Sequence, residues 1–250
     1  MNYAKRIELE ITLRCNQHCP TCNRHCNVYD RHSDSDMSYG QLQRFFSQVE
    51  ERGDVWDTLA IMGGEPTLHE MFRDITAVCW KRLVQNGLVK KLQIWTNGKK
   101  EIDLDTLPVR YLKPDEESIE DGFIHIITAD HSTKLHCQAL MSPTDTGQIM
   151  RQCKMLEQCG IALNAYGYWP CGPGSAIARL FGIKGFSKDK LPADASEWSG
   201  LQELCSLCQH SCHTRIPLCS SWGEEPTRII SPTYQNAINT YRGRERFPKW

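Results

Sequence analysis

The chain has 250 residues, 13 cysteines, and 29 Lys and Arg against 30 Asp and Glu, for a formal net charge of −1. That length suits one α/β barrel-like domain with a small appendage, and near neutrality leaves no strong field to draw the chain to nucleic acid or an anionic membrane. No apolar run approaches the ~18 residues of a spanning helix, and Met1-Asn2-Tyr3-Ala4-Lys5-Arg6 does not open a signal peptide, so a cytoplasmic location with no membrane attachment is expected.

In chain order, residues 6–12 alternate, with Ile7, Leu9 and Ile11 on one face, and predict a strand that delivers the chain into Cys15, Cys19 and Cys22 on a loop. Residues 38–52 open on a capping serine and place Leu42, Phe45, Phe46 and Val49 at helical spacing. A short apolar run, 58–62, ends in Gly63-Gly64, and 71–85 is again helical before Gly87. Residues 91–95 make a third strand ending in Thr96-Asn97-Gly98, and further strands are expected at 123–128 and 135–141. Alternating strands and helices imply a parallel sheet curled into a full or partial barrel, with ligand sites at the C-terminal strand ends. The cysteine loop, Gly63-Gly64-Glu65-Pro66 and Thr96-Asn97-Gly98 all fall on that rim. Beyond about residue 148, cysteine, glycine and proline become dense in 153–174 and 205–226, which suggests a second, metal-stapled module. The expected division is therefore 1–148, 149–232 and a basic, polar tail at 233–250.

An odd cysteine count without a secretory signal argues against a closed disulfide framework and for reduced thiols that bind metal. Cys79 and Cys137 are expected as small core hydrophobes. The Cys15-x3-Cys19-x2-Cys22 spacing offers three thiolates to one cubane cluster and leaves a fourth iron open to a small chelating molecule. Zinc is the rival, and would need a fourth ligand such as Cys26. Downstream, Cys159, Cys171, Cys205 and Cys208 could close a four-thiolate site, with Cys153, Cys212 and Cys219 as alternates; residues 160–168 read as a hairpin leading to Cys171. A structural zinc is again the rival there. The glycines of Cys171-Gly172-Pro173-Gly174 precede a short helix; without the Walker lysine and serine they read as a chain reversal and not as a phosphate loop.

The triplet followed by Met62-Gly63-Gly64-Glu65-Pro66 resembles the radical S-adenosylmethionine superfamily, and the resemblance spans about residues 6–220. It implies a partial (β/α)6 TIM-like barrel with a small C-terminal cysteine-rich auxiliary-cluster module. It also implies a 4Fe–4S cluster on Cys15, Cys19 and Cys22, and S-adenosyl-L-methionine held by Gly63, Gly64, Glu65 and Pro66. Glycines let backbone approach a ligand closely, and the Glu65 carboxylate suits the methionyl ammonium. Thr96 and Asn97 would lie near the nucleoside, His69 after the glycine motif is as compatible with packing, and a fourth-strand contact would come from Thr128 or Asp130. The second cysteine set resembles the SPASM and Twitch auxiliary modules, and its downstream gaps favour one auxiliary 4Fe–4S cluster.

What the resemblance implies is an oxidoreductase-like enzyme that cleaves S-adenosylmethionine reductively and takes hydrogen from a substrate, with an external flavodoxin- or ferredoxin-like electron donor. Members with a single auxiliary cluster that oxidise a carbinol make oxidation of a small-molecule alcohol the expected outcome. Peptide modification is the alternative within the enzyme class, although only five residues precede the first strand. A non-catalytic zinc or Fe–S adaptor is the alternative outside it, and would gain nothing from Glu65. His125, His136 and Gln138 are inward-facing candidates on the later strands, none of them assignable as acid or base.

Overall fold

The computed structural model describes residues 4–19, 22–26, 28, 35–113, 121–128, 140–147, 153–184, 187, 189–211 and 230–241. Seven strands form one sheet: β1 (Arg6–Thr12), β2 (Trp56–Gly63), β3 (Val89–Thr96), β4 (Val109–Leu112), β5 (Ile124–Thr128), β6 (Ile161–Asn164) and β7 (Gly167–Trp169). Their order is β4-β5-β3-β2-β1-β6-β7, and every pairing is parallel except β6–β7. The expected parallel α/β arrangement is present, as a seven-stranded, mostly parallel sheet. Two complete βαβ units occur among the described residues, through α1 (Tyr39–Arg52) and α2 (Phe72–Cys79).

Ser38 caps α1 in a reciprocal capping box with Gln41, which satisfies donors that the first turn leaves open. Leu42, Phe45, Phe46 and Val49 then fall on one buried face, as the spacing predicts. The helix expected over 71–85 is α2 continued by a π-helical turn at Trp80–Val84. These helices cover one face of the sheet, where in-register rows such as Leu9–Ile61–Ile94–Ile126 and Phe45, Phe46, Phe72 and Ile75 form the main core.

The other face is polar. Glu8 aligns with Ala60, Gln93, His125 and Arg110 across β1, β2, β3, β5 and β4. Glu8, Glu10, Gln93, His125 and Asn164 are nonetheless buried. Alternation in β1 therefore separates an apolar packing face from a buried polar one, and does not separate core from solvent.

Residues past 148 enter the same sheet: β6 pairs with β1, and the expected hairpin is β6–β7, turning at Ala165-Tyr166. Short helices α3 (Pro143–Thr146) and α4 (Met155–Gln158) precede it, and α5 (Gly172–Phe181) and α6 (Leu201–Ser206) follow. Residues 233–241, expected only as part of a tail, lie in α7 (Pro232–Tyr241), which buries Tyr234, Ala237 and Ile238. The edge strand β4 was not anticipated. Of the strand expected over 135–141, residues 135–139 lie outside the described residues, and Leu140 and Met141 are not in a strand. No helix among the described residues is long and apolar enough to cross a membrane.

Candidate functional site

The three motifs that the sequence places on one rim meet there through hydrogen bonds. Past β2, Gly64 N–H donates to the Thr12 carbonyl at 2.8 Å and Glu65 N–H to the Arg14 carbonyl at 2.7 Å, so the glycine motif runs beside the segment entering Cys15. A Cβ on Gly63 would stand 2.0 Å from the Thr12 oxygen and one on Gly64 2.1 Å from the Arg14 oxygen, so no side chain fits at either position. Arg14 is itself anchored, with Nη2 2.5 Å from Asp36 Oδ2 and 2.6 Å from the Leu68 carbonyl.

Glu65 is wholly buried and joins the second motif to the third. Its Oε1 accepts from Thr67 N–H at 3.2 Å, Thr67 Oγ1 at 2.7 Å and Thr96 Oγ1 at 2.9 Å, while Oε2 accepts from Asn97 N–H at 2.7 Å. Asn97 in turn donates through Nδ2 to Asn16 Oδ1 at 2.7 Å and lies 4.0 Å from Cys15 Sγ. His69, by contrast, is held by backbone on both ring nitrogens, Nδ1 accepting from Met71 N–H at 3.1 Å and Nε2 lying 3.0 Å from the Met37 carbonyl. It locks the turn after the motif. Thr128 packs on the turn at Gly98, where an added Cβ would come within 2.7 Å of its methyl group.

Cys15, Cys19 and Cys22 are half-buried and share one loop, folded by a Cys22 N–H bond to the Cys19 carbonyl at 3.2 Å. Burial, and then the neighbouring Cys22 and Cys15 sulfurs, push the Cys19 thiol up. A hydrogen bond with Cys26 is the main cause that brings Cys22 down to about 6. Cys26, the zinc reading's fourth ligand, is thus beside Cys22 and buried.

The second cysteine set divides. Cys153, Cys171, Cys205 and Cys208 line one pocket, with Leu156, Pro170, Ile177 and Leu204 among its apolar walls. Burial raises the Cys171 thiol, and the nearby Cys208, Cys153 and Cys205 sulfurs add to it; burial, then Cys153, pushes Cys205 up to about 11. Cys171 caps α5, its sulfur accepting from Gly174 N–H at 3.3 Å, and Cys153 Sγ accepts from Met155 N–H at 3.3 Å. Cys159, expected as a ligand in this set, does not line the pocket. Its thiol sits by Glu8, Arg6 and Arg24 and is pushed up to about 12, chiefly by burial. Cys153, expected as an alternate, lines the pocket. Cys212, Cys219, Cys137, Asp130, His136 and Gln138 lie outside the described residues. Among the described residues, no three His, Cys, Asp or Glu side chains converge on one point as ligands of a single ion.

Sequence reasoning missed the polar face between the two cysteine sets. Arg24 Nη2 lies 2.6 Å from Glu8 Oε2 and its Nε 2.7 Å from Glu10 Oε1. Asn164 Nδ2 and Ser175 Oγ also donate to Glu10 Oε2, at 2.9 and 3.2 Å. Burial nevertheless holds the Glu10 carboxyl above its ordinary range, against the opposing pull of Arg24. Beyond Glu8, Arg6 Nη1 and Trp95 Nε1 both donate to Gln93 Oε1. Charged residues at alternate positions of a strand flanked on both sides are buried, and buried charge is costly unless paired; the flanking by β2 and β6 is visible only in the fold. Tyr234 adds a second tie, its ring edge-on to His25 of the first cysteine loop and its hydroxyl donating to the Leu207 carbonyl, next to Cys208.

No family model and no curated protein matches the chain. Solved structures that are similar to it include BtrN in complex with AdoMet and 2-DOIA, 11% identical over 82% of this chain and 83% of that one, with a TM-score of 0.46. BtrN in an open conformation gives 12% identity over 81% and 79%, with a TM-score of 0.41. Streptococcus suis SuiB bound to precursor peptide SuiA is 16% identical over 45% of this chain, with a TM-score of 0.34; the match spans 25% of SuiB.

Proposed function

We propose that the chain is a radical S-adenosylmethionine enzyme built on a partial β/α barrel, with a four-iron cluster held by Cys15, Cys19 and Cys22 and a second one by Cys153, Cys171, Cys205 and Cys208. The carrying observation is the bonding of Glu65 to Thr67, Thr96 and Asn97, which fastens two rim motifs together beside the third at Cys15. An isolated strand-to-helix turn would not need a buried carboxylate that reaches the end of the next strand.

Soft thiolate donors in both places fit iron–sulfur chemistry, and the pocket wall shared by four thiols supplies a full ligand set for the second cluster. The first set has three, and leaves one metal position for a chelating cosubstrate. When bound there, the cluster supplies the electron that splits S-adenosylmethionine into methionine and a 5′-deoxyadenosyl radical able to take hydrogen from a substrate. The residues of the chain orient and exclude water. Gly63 and Gly64 let the second motif pack directly on the backbone entering Cys15, and Glu65 bonds Thr96 and Asn97, the latter 4.0 Å from Cys15 Sγ. Glu65, here wholly buried, is the carboxylate assigned to the methionyl ammonium.

The buried polar face of β1, β3 and β6 suits a small polar substrate, and we assign the overall reaction as oxidation of an alcohol. Removing a hydrogen atom from a carbinol carbon leaves one electron and one proton to be lost before a carbonyl forms. A cluster held by Cys153, Cys171, Cys205 and Cys208 would supply the acceptor for that electron. An external one-electron donor would reduce the first.

Paired substitutions test this division of labour. Cys22→Ala is expected to abolish 5′-deoxyadenosine formation, while Cys208→Ala retains it without product. Loss of nucleoside in both, with the Cys208→Ala protein folded and its first cluster intact by spectroscopy, would overturn it.

A further inference from the structure

Arg24 begins on the first cysteine loop, two residues after Cys22, and ends against the second cysteine set. Its guanidinium lies flat on Gly172, the residue after Cys171: a Cβ on that glycine would stand 2.1 Å from Cζ and 2.3 Å from each terminal nitrogen. Only glycine admits the guanidinium there. The side chain is 7% exposed, and Glu8 and Glu10 flank it at 2.6 and 2.7 Å. Met62 Sδ, from the strand that leads into the glycine motif, accepts from the same Nη2 at 3.3 Å.

This position is expensive for a cation. It is buried, and it abuts the N-terminal end of α5, whose dipole repels positive charge. Two carboxylates and a glycine seat are thus spent on keeping one guanidinium next to Cys171. A fixed positive charge beside a thiolate centre favours its reduced, more negative form.

We propose that Arg24 is a positioning residue that ties the Cys22 loop to the Cys171 turn and raises the reduction potential of the second centre. The inference rests on the two-cluster reading above. It makes the second centre a better electron acceptor while holding it in register with the first.

Signed shifts in potential distinguish this from a merely structural strut. The anaerobically reconstituted full-length protein would be titrated with reductant and followed by electron paramagnetic resonance, the second centre being the signal that S-adenosylmethionine does not alter. Arg24→Gln is expected to lower the reduced-to-oxidised ratio of that centre about tenfold at fixed potential, equivalent to ~59 mV for one electron. Glu8→Gln, which removes the opposing charge, is expected to shift it the other way. Gly172→Ala keeps the charge but unseats it, so a smaller shift in the Arg24→Gln direction is expected. Unchanged potentials in Arg24→Gln, or shifts of the same sign in Arg24→Gln and Glu8→Gln, overturn the proposal. Should Arg24→Gln fail to hold the second cluster, the signs for Glu8→Gln and Gly172→Ala decide. A wild-type protein with about four irons and no second signal removes the two-cluster reading itself, and this inference with it, whatever Arg24 does.

Discussion

The Glu65 carboxylate accepts hydrogen bonds from three residues and meets no solvent. Glu65→Gln keeps the shape but offers an amide NH2 where one oxygen met a donor, so a buried N–H or O–H loses its acceptor. A loss of about 1–3 kcal/mol is expected in chemical denaturation, together with slower nucleoside formation as the Asn97 turn loosens beside Cys15. The second cysteine set gives a sharper residue-scale outcome. Cys153→Ser should lose the second cluster's iron, about four of eight per chain if both clusters are four-iron, whereas Cys159→Ser should retain it. The reverse result in an iron assay would restore the ligand set first read from the sequence. Spacing alone favoured Cys159 and kept Cys153 as an alternate, since both precede Cys171 by a workable interval. What separates them is what each meets: Cys159 ends α4 beside Glu8, while Cys153 shares the pocket with Cys171. The rim motifs were legible as short strings of glycine and carboxylate, but the contacts that join them are tertiary: Gly63 and Gly64 pack on Thr12 and Arg14, and Glu65 reaches Thr96 and Asn97.

At the scale of elements, α1 illustrates how a local signal and tertiary packing agree. Its serine cap and apolar spacing were readable, and both are used. Ser38→Ala is expected to cost about 1 kcal/mol, and Phe45→Ala, which empties a wholly buried site in the main core, about 3–5 kcal/mol; thermal or urea denaturation would rank them, and equal costs would contradict the packing described. β1 was legible as a strand by its period of two, but its polar face was not legible as an interior. That depends on β2 and β6 flanking it and on Arg24 arriving from a separate loop. β4 escaped notice because four residues on a sheet edge, with Tyr111 68% exposed, carry little apolar periodicity. α5 was expected after the Cys171 glycines, and it begins there with that cysteine as its cap.

For the molecule as a whole, strand order explains why distant segments cooperate. β1, which leads into the first cysteine set, lies between β2, which carries the glycine motif, and β6, which leads to the second cysteine set. Its apolar face packs under the helices and its polar face joins the two cysteine regions through Glu8, Glu10 and Arg24. An organisation with two separable lobes would have made that polar face an interface; here β6 and β7 make it part of a single sheet. The reaction proposed for the rim at Cys15, Cys19, Cys22 and Glu65 is the splitting of S-adenosylmethionine. Its most direct test is anaerobic reconstitution, an iron and sulfide count, and an assay for 5′-deoxyadenosine after adding S-adenosylmethionine and a strong reductant. About eight irons per chain with nucleoside formed is the expected result; a reducible cluster that yields no nucleoside would contradict the assignment.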